Sequence, residues 1–507
     1  MSSGENAKAR SALTRIRQGN NQNAATAALL LASIDLKERK YKSAVEKLEK
    51  ARLQFKQDHR ILTQLSEIQM ELGNYDQAIE LANSSLRIFP DNKTLRLNLA
   101  SWISSQSSSP LEIKNHYESW CIDYLDKPIN ELGDQQFSPQ LNEDDVLKIG
   151  YVSGDFKNHA VRYFIEPYLR NHNKKAYEIH AFMTEVSDEI TEILKESIEN
   201  WHSMKDVPTS EFVQKIKDLG IHILVDLSGH TQGERLDVFA ERAAPIQVTW
   251  WGFMQTLGMR EMDYRLTDSV FSPPGTDAHF TEKLWRLDCL TAYAPPLNAD
   301  SLFESPWKKN GYVTMVSINH SRKVSDQALN LWRRILIDNP NSSLIIVTME
   351  KTPEGALELF KSRFEKFGLP ADRVLAAPRL TMLEFMGLGS IADFSLDSFP
   401  ISGGVTSFHA LWMGLPILTL KPNQAIALQS YTSNILETAG LDECVASNEN
   451  EYLAIASNWI NQPNEIDRIR KICRDRLIQS PYMAVQERVH ELERSFTSMW
   501  QKFKNSH

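Results

Sequence analysis

The stretch 396–416, LDSFPISGGVTSFHALWMGLP, combines residue types that could bind an anion. Gly403 and Gly404 come just before Thr406 and Ser407, and an apolar helical run comes after them. A helix that begins after glycines offers free backbone N–H groups and the positive end of its dipole to a phosphate. The same pattern is also typical of a tight turn before a capped helix, so the motif alone leaves both interpretations open.

Two further side chains have the chemistry of a transfer site. His159, in DFKNHAVRYF, could act as an acid or a base because imidazole titrates near neutral pH. Lys323, in NHSRKVSD, lies just before a predicted helix, where its ammonium could neutralise a diphosphate. A structural histidine and an exposed lysine remain the alternatives for these two positions.

Polar residues also lie directly after several of the predicted strands in the middle of the chain. Such residues are out of keeping with burial, and their position predicts a site where the strands end. The candidates for this part of the site are Asp155, His230, Thr231, Gln255 and Thr256.

The elements that would position these residues alternate between apolar strands and amphipathic helices. Strand-like runs from Val146 onwards are LKIGYVS, YEIHAFM, IHILVDLSG, PIQVTWWG and YRLTDSV. After Pro306 the pattern restarts with YVTMVSIN, SLIIVTM, VLAAP, IADFSL and PILTL. This alternation predicts an α/β fold with two similar parallel-sheet halves and a ligand cleft between them.

An internal repeat of 34 residues precedes the α/β part. The matching pairs are Leu31 with Leu65, Ile34 with Ile68, Tyr41 with Tyr75, Ala44 with Ala78, and Phe55 with Phe89. Small residues where two helices cross, an aromatic residue that opens the second helix and a closing Pro90 are typical of tetratricopeptide (TPR) repeats. Two repeats and part of a third make a short superhelix, which we expect to dock on the α/β part of the chain.

The predicted organisation has five parts. They are a polar N-terminal segment at 1–22, TPR repeats at 23–105, a helical connector at 106–144, a first α/β half at 145–306, and a second α/β half with C-terminal helices at 307–507.

Composition excludes some classes of function. The 507 residues are 42% hydrophobic and 24% charged, with a net charge of -9, which disfavours nucleic acid as a partner. The four cysteines lack CxxC spacing, so neither a zinc site nor a disulfide framework is predicted. The polar N-terminus and the lack of a run of about 18 apolar residues predict no signal peptide and no membrane span, hence a cytoplasmic protein.

Several long motifs together resemble one family, the TPR-containing glycosyltransferases that include the O-GlcNAc transferases and the SPINDLY-type O-fucosyltransferases. The motifs are KIGYVSGDFKNHAVRYFIEPYL, GIHILVDLSGHTQGERLDVFAERAAPIQVTWWGF, MDYRLTDSVFSPPGTD and LDSFPISGGVTSFHALWMGLPILTL. The resemblance implies a GT-B fold of two Rossmann-like domains, with the acceptor on the side of the first half and the nucleotide-sugar donor on the second. It also implies inverting transfer without a metal or cofactor, from UDP-GlcNAc by family default, to a Ser or Thr hydroxyl of a protein.

The resemblance also assigns roles to individual residues. Lys323 would stabilise the departing diphosphate, and His159 would lie near the acceptor and the sugar. The donor-binding positions would be His320, Ala377, Pro378, Arg379, Met382, Gly403, Gly404, Val405, Thr406 and His409.

Four of these positions depart from the family pattern. His409 stands where a carboxylate usually binds the ribose hydroxyls, Val405 replaces a threonine and Met382 a histidine. His320 stands where an amide is usual, and WWGFMQTLG lacks the usual Tyr-Pro. Two alternatives to protein glycosylation therefore stay open: a non-catalytic TPR scaffold with a degenerate GT-B domain, and a transferase for a non-protein acceptor. The repeats could present an acceptor polypeptide or bind a partner protein.

Overall fold

The computed structural model describes residues 3–17, 22–106, 109–125, 146–297, 299, 301–422 and 426–506. The predicted fold class is confirmed: an all-α front end precedes two α/β halves, each built on a parallel sheet. The predicted boundary between connector and first half lies in 126–145, outside the described residues.

The front end is a row of antiparallel helices. They are α1 (Ser3–Ile16), α2 (Gln22–Lys37), α3 (Tyr41–Gln54), α4 (His59–Glu71), α5 (Tyr75–Ile88), α6 (Lys93–Gln106) and α7 (Pro110–Tyr124). Tyr41 and Tyr75 each begin the second helix of a repeat, as the 34-residue period predicts. Ala44 and Ala78 are fully buried, so the paired helices can approach closely. The segment predicted only as polar carries α1, whose Arg10 pairs with Asp35 at 2.6 Å.

The turns between the helices of each repeat need a left-handed residue. Repeat 2 places Gly73 there, with φ of 78°, and repeat 1 places Arg39 at the equivalent position, with φ of 60°. Glycine adopts this conformation freely, whereas for a residue with a Cβ it costs about 1 kcal/mol. The two repeats therefore share a backbone but differ in how easily their sequences adopt it.

The first half contains a seven-stranded sheet, every strand of which is parallel to its neighbours. Its strands are β1 (Leu147–Ser153), β2 (Tyr177–Met183), β3 (Asn200–Ser203), β4 (Ile223–Asp226), β5 (Ile246–Thr249), β6 (Tyr264–Asp268) and β7 (Lys283–Leu287), in the order β3-β2-β1-β4-β5-β6-β7. The helices are α8 (Arg162–Asn171), α9 (Glu189–Lys195), α10 (Thr209–Leu219) and α11 (Leu236–Ala240). Strands β3 and β7 are absent from the predicted set, because these edge strands are partly exposed and carry no continuous apolar run.

The second half contains a six-stranded parallel sheet in the order β10-β9-β8-β11-β12-β13. Its strands are β8 (Val313–Ser317), β9 (Ser342–Val347), β10 (Val374–Ala377), β11 (Phe394–Leu396), β12 (Ile417–Leu420) and β13 (Val445–Ala446). The helices are α12 (Trp307–Asn310), α13 (Asp326–Asp338), α14 (Pro353–Phe367), α15 (Met382–Met386), α16 (Val405–Trp412), α17 (Ala427–Thr438), α18 (Glu449–Asn461), α19 (Asn464–Gln479) and α20 (Val485–Ser506). This order is the doubly wound arrangement of nucleotide-binding folds.

The last helix, α20, crosses back to the first half. Glu493 on α20 lies 3.1 Å from Nδ1 of His172, and its backbone carbonyl accepts a hydrogen bond from the hydroxyl of Tyr177 at 2.9 Å. The two halves are thus tied together by their C-terminal segment. Among the residues that the structure describes, no helix is long and apolar enough to cross a membrane.

Candidate functional site

The strand order reverses between β1 and β4 in the first sheet and between β8 and β11 in the second. Ligands of such sheets bind at the carboxyl ends of the strands beside this reversal. A cavity of about 480 Å³ lies there between the two halves. The first half lines it with His159, Ala160, Val161, Phe164, Trp251, Gly252 and Met254. The second half lines it with Ile318, Asn319, His320, Lys323, Val347, Thr348, Met349, Arg379, Leu380, Phe385, Ser402, Gly403, Gly404, Val405, Thr406, Leu428 and Tyr431.

A buried carboxylate fixes the shape of the glycine turn. Asp397, directly after β11, accepts hydrogen bonds from the backbone N–H of Gly403 at 2.9 Å and from Nδ2 of Asn319 at 2.8 Å. Asn319 in turn accepts one from the hydroxyl of Thr406 at 2.8 Å. Burial raises the pKa of Asp397, and hydrogen bonds to its carboxylate oppose the shift. The turn is therefore connected to the ends of β8 and β11 before any ligand binds.

The helix that begins at this turn leaves its N-terminus open. Gly404 is the N-cap residue of α16 and contributes no side-chain cap. Gly403 lies close to the helix, so that a Cβ there would be 2.3 Å from Oγ of Ser407, which would have to move. The first N–H groups of α16 therefore face the cavity with the positive end of the helix dipole, which suits a phosphate.

Lys323 brings its ammonium to the same turn. Its Nζ donates to the backbone carbonyl of Ser402 at 2.8 Å. Burial lowers the pKa of Lys323, and the charge of Asp397 opposes that shift. The structure thus gathers an amine and a helix N-terminus on one wall of the cavity.

His159 lies on the opposite wall, in the first half. Its Nδ1 is 3.4 Å from Oδ2 of Asp155, and its side chain is 45% exposed. Burial raises the pKa of Asp155, with the histidine opposing the shift. The same Nδ1 accepts a hydrogen bond from the backbone N–H of Val161 at 3.4 Å, and a histidine held in this way is a suitable group for moving a proton or orienting a hydroxyl.

Aromatic rings also line the cavity. Phe164 stacks on Trp251 with ring centroids 4.3 Å apart, and Tyr431 contacts Trp251 edge-on at 6.2 Å. These buried rings give the cavity an apolar lining, as is common in ligand pockets.

His409 is not in the cavity wall, contrary to its prediction as a donor-binding residue. It is 2% exposed, its Nδ1 lies 2.7 Å from the hydroxyl of Tyr293, and the ring of Tyr163 contacts it edge-on at 4.6 Å. Burial lowers its pKa to about 3. His409 is therefore a neutral core residue that lies behind Phe385 of the cavity wall.

The other predicted donor-binding positions divide between the cavity wall and its surroundings. Arg379 and His320 line the cavity, and Arg379 donates its backbone N–H to the carbonyl of Glu350 at 2.6 Å. Ala377 ends β10 and Met382 begins α15 with 40% of its surface exposed. Neither these two nor Pro378 is among the described residues that line the cavity.

None of the predicted acceptor-side residues, Asp155 included, is among the described residues that line the cavity. His230 donates from Nε2 to the carbonyl of Leu257 at 2.7 Å and stacks on Tyr117 of α7 at 5.0 Å. Burial lowers the pKa of His230 to about 4. These contacts give the histidine a role in docking α7 on the first half.

Gln255 and Thr256 are buried and hydrogen-bonded, whereas Thr231 is exposed. Thr256 donates to Glu282 at 2.8 Å, and the carbonyl of Gln255 accepts from Arg265 at 2.6 Å. Thr231 donates to the carbonyl of Ser228 at 2.9 Å. None of the three lines the cavity in the described part of the chain.

Two residues that build the site, Asn319 and Asp397, were not predicted from the sequence. Both lie just beyond an apolar run, at the end of β8 and of β11. A polar residue at the end of a fully buried strand is the signal that points to them, and it is the same signal that predicted candidates in the first half.

Comparison with known proteins gives a consistent result. The family model "Glycosyl transferase family 41" matches residues 106–290 and 308–492, and a tetratricopeptide repeat model matches residues 35–101. The chain is 26% identical to a mutant of the O-GlcNAc transferase of Thermobaculum terrenum, whose solved structure superposes over the whole of both chains with a TM-score of 0.82.

Curated relatives are longer than this chain. "Probable UDP-N-acetylglucosamine–peptide N-acetylglucosaminyltransferase SPINDLY" of Arabidopsis thaliana is 32% identical over 364 residues, which are 70% of this chain and 40% of that protein. The UDP-N-acetylglucosamine–peptide N-acetylglucosaminyltransferase of Caenorhabditis elegans is 24% identical over 478 residues, covering 71% and 41%. The chain thus spans about two fifths of the length of these relatives.

Proposed function

This chain belongs to glycosyl transferase family 41, and we propose that it transfers a sugar from a nucleotide-sugar donor to a Ser or Thr hydroxyl of a protein. UDP-GlcNAc is the donor we propose, since the relatives in Arabidopsis thaliana and Caenorhabditis elegans carry that nucleotide sugar in their names. The observation that carries the proposal is the pairing of Lys323 with the glycine turn, at 2.8 Å from Nζ to the carbonyl of Ser402.

The reaction needs positive charge where the leaving group forms. The bond between the anomeric carbon and the diphosphate oxygen breaks, and the acceptor hydroxyl oxygen bonds to that carbon as its proton leaves. Negative charge then grows on the diphosphate. The Lys323 ammonium and the N-terminus of α16 are in place to stabilise this charge, as preorganised donors do in other transferases.

The acceptor would approach from the opposite wall. Attack from that side inverts the configuration at the anomeric carbon, and His159, which lies beside Asp155, would meet the hydroxyl or the sugar. We propose that no metal takes part, because the ammonium and the helix N-terminus supply the charge. Activity that survives EDTA would support this part, and loss restored by Mg²⁺ or Mn²⁺ would refute it.

The TPR front end would bind the acceptor or a partner protein. The TPR repeats contact the second half through Tyr41 and Tyr75, and we propose that their concave surface holds an acceptor polypeptide or a partner protein in the cytoplasm.

The first experiment is calorimetric titration with UDP, GDP and their sugar conjugates, and then a transfer assay with the donor that binds. Lys323→Ala should lower transfer by about 100- to 1000-fold, the effect of removing one preorganised oxyanion donor. Lys361→Ala, which removes an exposed lysine of α14, is the matched control and should keep full activity.

Two results would overturn the proposal. Absence of binding to every nucleotide would favour a TPR scaffold, and equal turnover by Lys323→Ala and Lys361→Ala would remove the diphosphate role. Transfer to water or a saccharide but to no polypeptide would change only the acceptor.

A further inference from the structure

The aromatic residue that marks each TPR repeat also contacts the second half. In repeat 2, Tyr75 is 8% exposed, and its hydroxyl donates to the backbone carbonyl of Arg322 at 2.6 Å and reaches that of Val324 at 3.3 Å. These two carbonyls belong to the residues on either side of Lys323. The tyrosine therefore holds the backbone from which Lys323 extends.

Further contacts join the TPR repeats to the segment that carries Lys323. Nη2 of Arg363, on α14, donates to the carbonyl of Val324 at 2.7 Å and to Asp326 at 2.9 Å. Its guanidinium lies against Gly73, where a Cβ would be 2.7 Å from Nη1. Glu71 forms an ion pair with Arg322. The end of α4 and the start of α5 thus enclose the turn that carries Lys323.

Repeat 1 makes the equivalent contact at the next strand end. Tyr41, 34 residues before Tyr75, donates its hydroxyl to Oε1 of Glu350 at 2.7 Å, and Nε of Arg39 lies 2.6 Å from Oε2. Glu350 is buried and its backbone carbonyl accepts from Arg379, a cavity residue. The same position in two successive repeats therefore supports two different segments of the cavity wall.

We infer that Tyr75 is a positioning residue for Lys323, and that the TPR front end acts on the transfer reaction by holding the donor-site loops as well as by presenting an acceptor. The inference rests on the proposed function, since it assigns Lys323 its role toward the diphosphate.

Lys323 is held at both ends. Its ammonium is fixed by Ser402 and its backbone by Tyr75, so the distance from the amine to the turn depends on both contacts. Displacements of about 1 Å at a reacting centre can cost about 100-fold in rate. Loss of the Tyr75 hydroxyl alone, with the ring still in place, should lower the rate by less than about 100-fold.

The test is Tyr75→Phe, assayed for kcat and for the KM of UDP-GlcNAc. We expect kcat to fall by about 5- to 50-fold while the KM changes by less than about twofold. The matched control is Tyr177→Phe, which also removes a buried hydroxyl that donates to a distant backbone carbonyl, that of Glu493 at 2.9 Å, away from the cavity. It should keep kcat.

A second pair of measurements separates positioning from general damage. In the Lys323→Ala background, Tyr75→Phe should cause no further loss, because the group it positions is gone. An equal loss in both backgrounds, or a loss matched by Tyr177→Phe, would overturn the inference.

A third measurement does not depend on turnover. Hydrogen exchange of the amides from 318 to 326 should quicken in Tyr75→Phe and stay unchanged in Tyr177→Phe. If the wild-type protein transfers no sugar, the proposed function fails, whereas the contact is still judged by this exchange. Unchanged exchange in Tyr75→Phe would then refute the positioning role.

Discussion

Two basic side chains close to the glycine turn have opposite environments. Lys323 reaches the carbonyl of Ser402 and opens into the cavity, whereas His409 is enclosed by aromatic rings and contacts the hydroxyl of Tyr293. The surroundings of Lys323 favour a cation that meets an anionic ligand, whereas those of His409 favour a neutral ring. A residue of α16 can therefore be close to the donor site in sequence and separated from it by a layer of side chains.

This difference predicts a pH-dependent stability that belongs to His409. The unfolded chain binds a proton at this residue below about pH 6.5, while the folded protein excludes it down to a pKa of about 3. Stability should thus fall on acidification, by up to about 1.4 kcal/mol per pH unit between those values.

His409→Asn should remove that part of the pH dependence. Between pH 7 and pH 5 the wild type should lose about 2 kcal/mol more unfolding free energy than the variant. Unfolding midpoints of both proteins, measured at the two pH values, check this. The control is His490→Asn, since His490 is exposed on α20 and meets water in both states. Parallel curves for wild type and His409→Asn would contradict the prediction.

The glycine motif and the family resemblance together predicted Lys323, His159, Gly404 and Thr406 as parts of one site, and all four line the same cavity. They could not place His409, because its burial depends on Tyr163 and Tyr293, which come from the first half. Sequence neighbours say nothing about such packing across domains. The same reason explains His230, which is covered by Tyr117 of the connector helix.

At the level of elements, the turn between β11 and α16 is held by several contacts. Asp397 and Thr406 connect it to Asn319 at the end of β8, and Ser407 fills the space beneath Gly403. Gly404 is less restricted, with the ring of Tyr431 at 3.4 Å from a Cβ built there. The two adjacent glycines thus serve different purposes.

Alanine substitutions should separate these purposes. Gly403→Ala should lower nucleotide affinity by about tenfold or more, because Ser407 must move and the N–H groups of the turn move with it. Gly404→Ala should have a smaller effect, since its contact is of ordinary length. Calorimetric titration with UDP checks both, and equal affinities for the two variants would contradict this account of the turn.

The elements themselves were largely predictable, and the strands that were missed, β3, β7 and β13, are all edge strands. β1 and β2 were bounded correctly because they are buried apolar runs, whereas β3 and β7 lie at the sheet edges with mixed sequences. An edge strand is defined by its neighbour's hydrogen bonds more than by its own composition. The repeat helices were predictable because the 34-residue period fixes their register.

At the scale of the whole molecule, the helical front end is attached to both halves. α7 packs on the first half through Tyr117 and Cys121. The backbone of α7 lies so close to Gly258 that a Cβ there would be 2.3 Å from the carbonyl carbon of Tyr117. α3 and α5 contact the second half through Tyr41 and Tyr75.

Gly258→Ala should weaken this attachment strongly. The residue has φ of 73°, so alanine is strained in the left-handed backbone and also collides with α7. Gly275→Ala is the matched control, because its φ is 92° but no atom lies within 4 Å of its Cβ. We expect Gly258→Ala to cost at least about 2 kcal/mol more than the control, visible as a lower thermal midpoint. Equal midpoints would show that α7 is not held there.

The turn of repeat 1, with Arg39 in the left-handed conformation, limits how this superhelix could be lengthened. Arg39 reaches Glu350, and the equivalent Gly73 makes room for Arg363, so each repeat is matched to one particular loop. Units of a solenoid usually contact only their neighbours in the row. Here an extra unit between these repeats and α7 would carry both tyrosines away from their loops. A repeat added before α2 would instead leave both tyrosines at their loops.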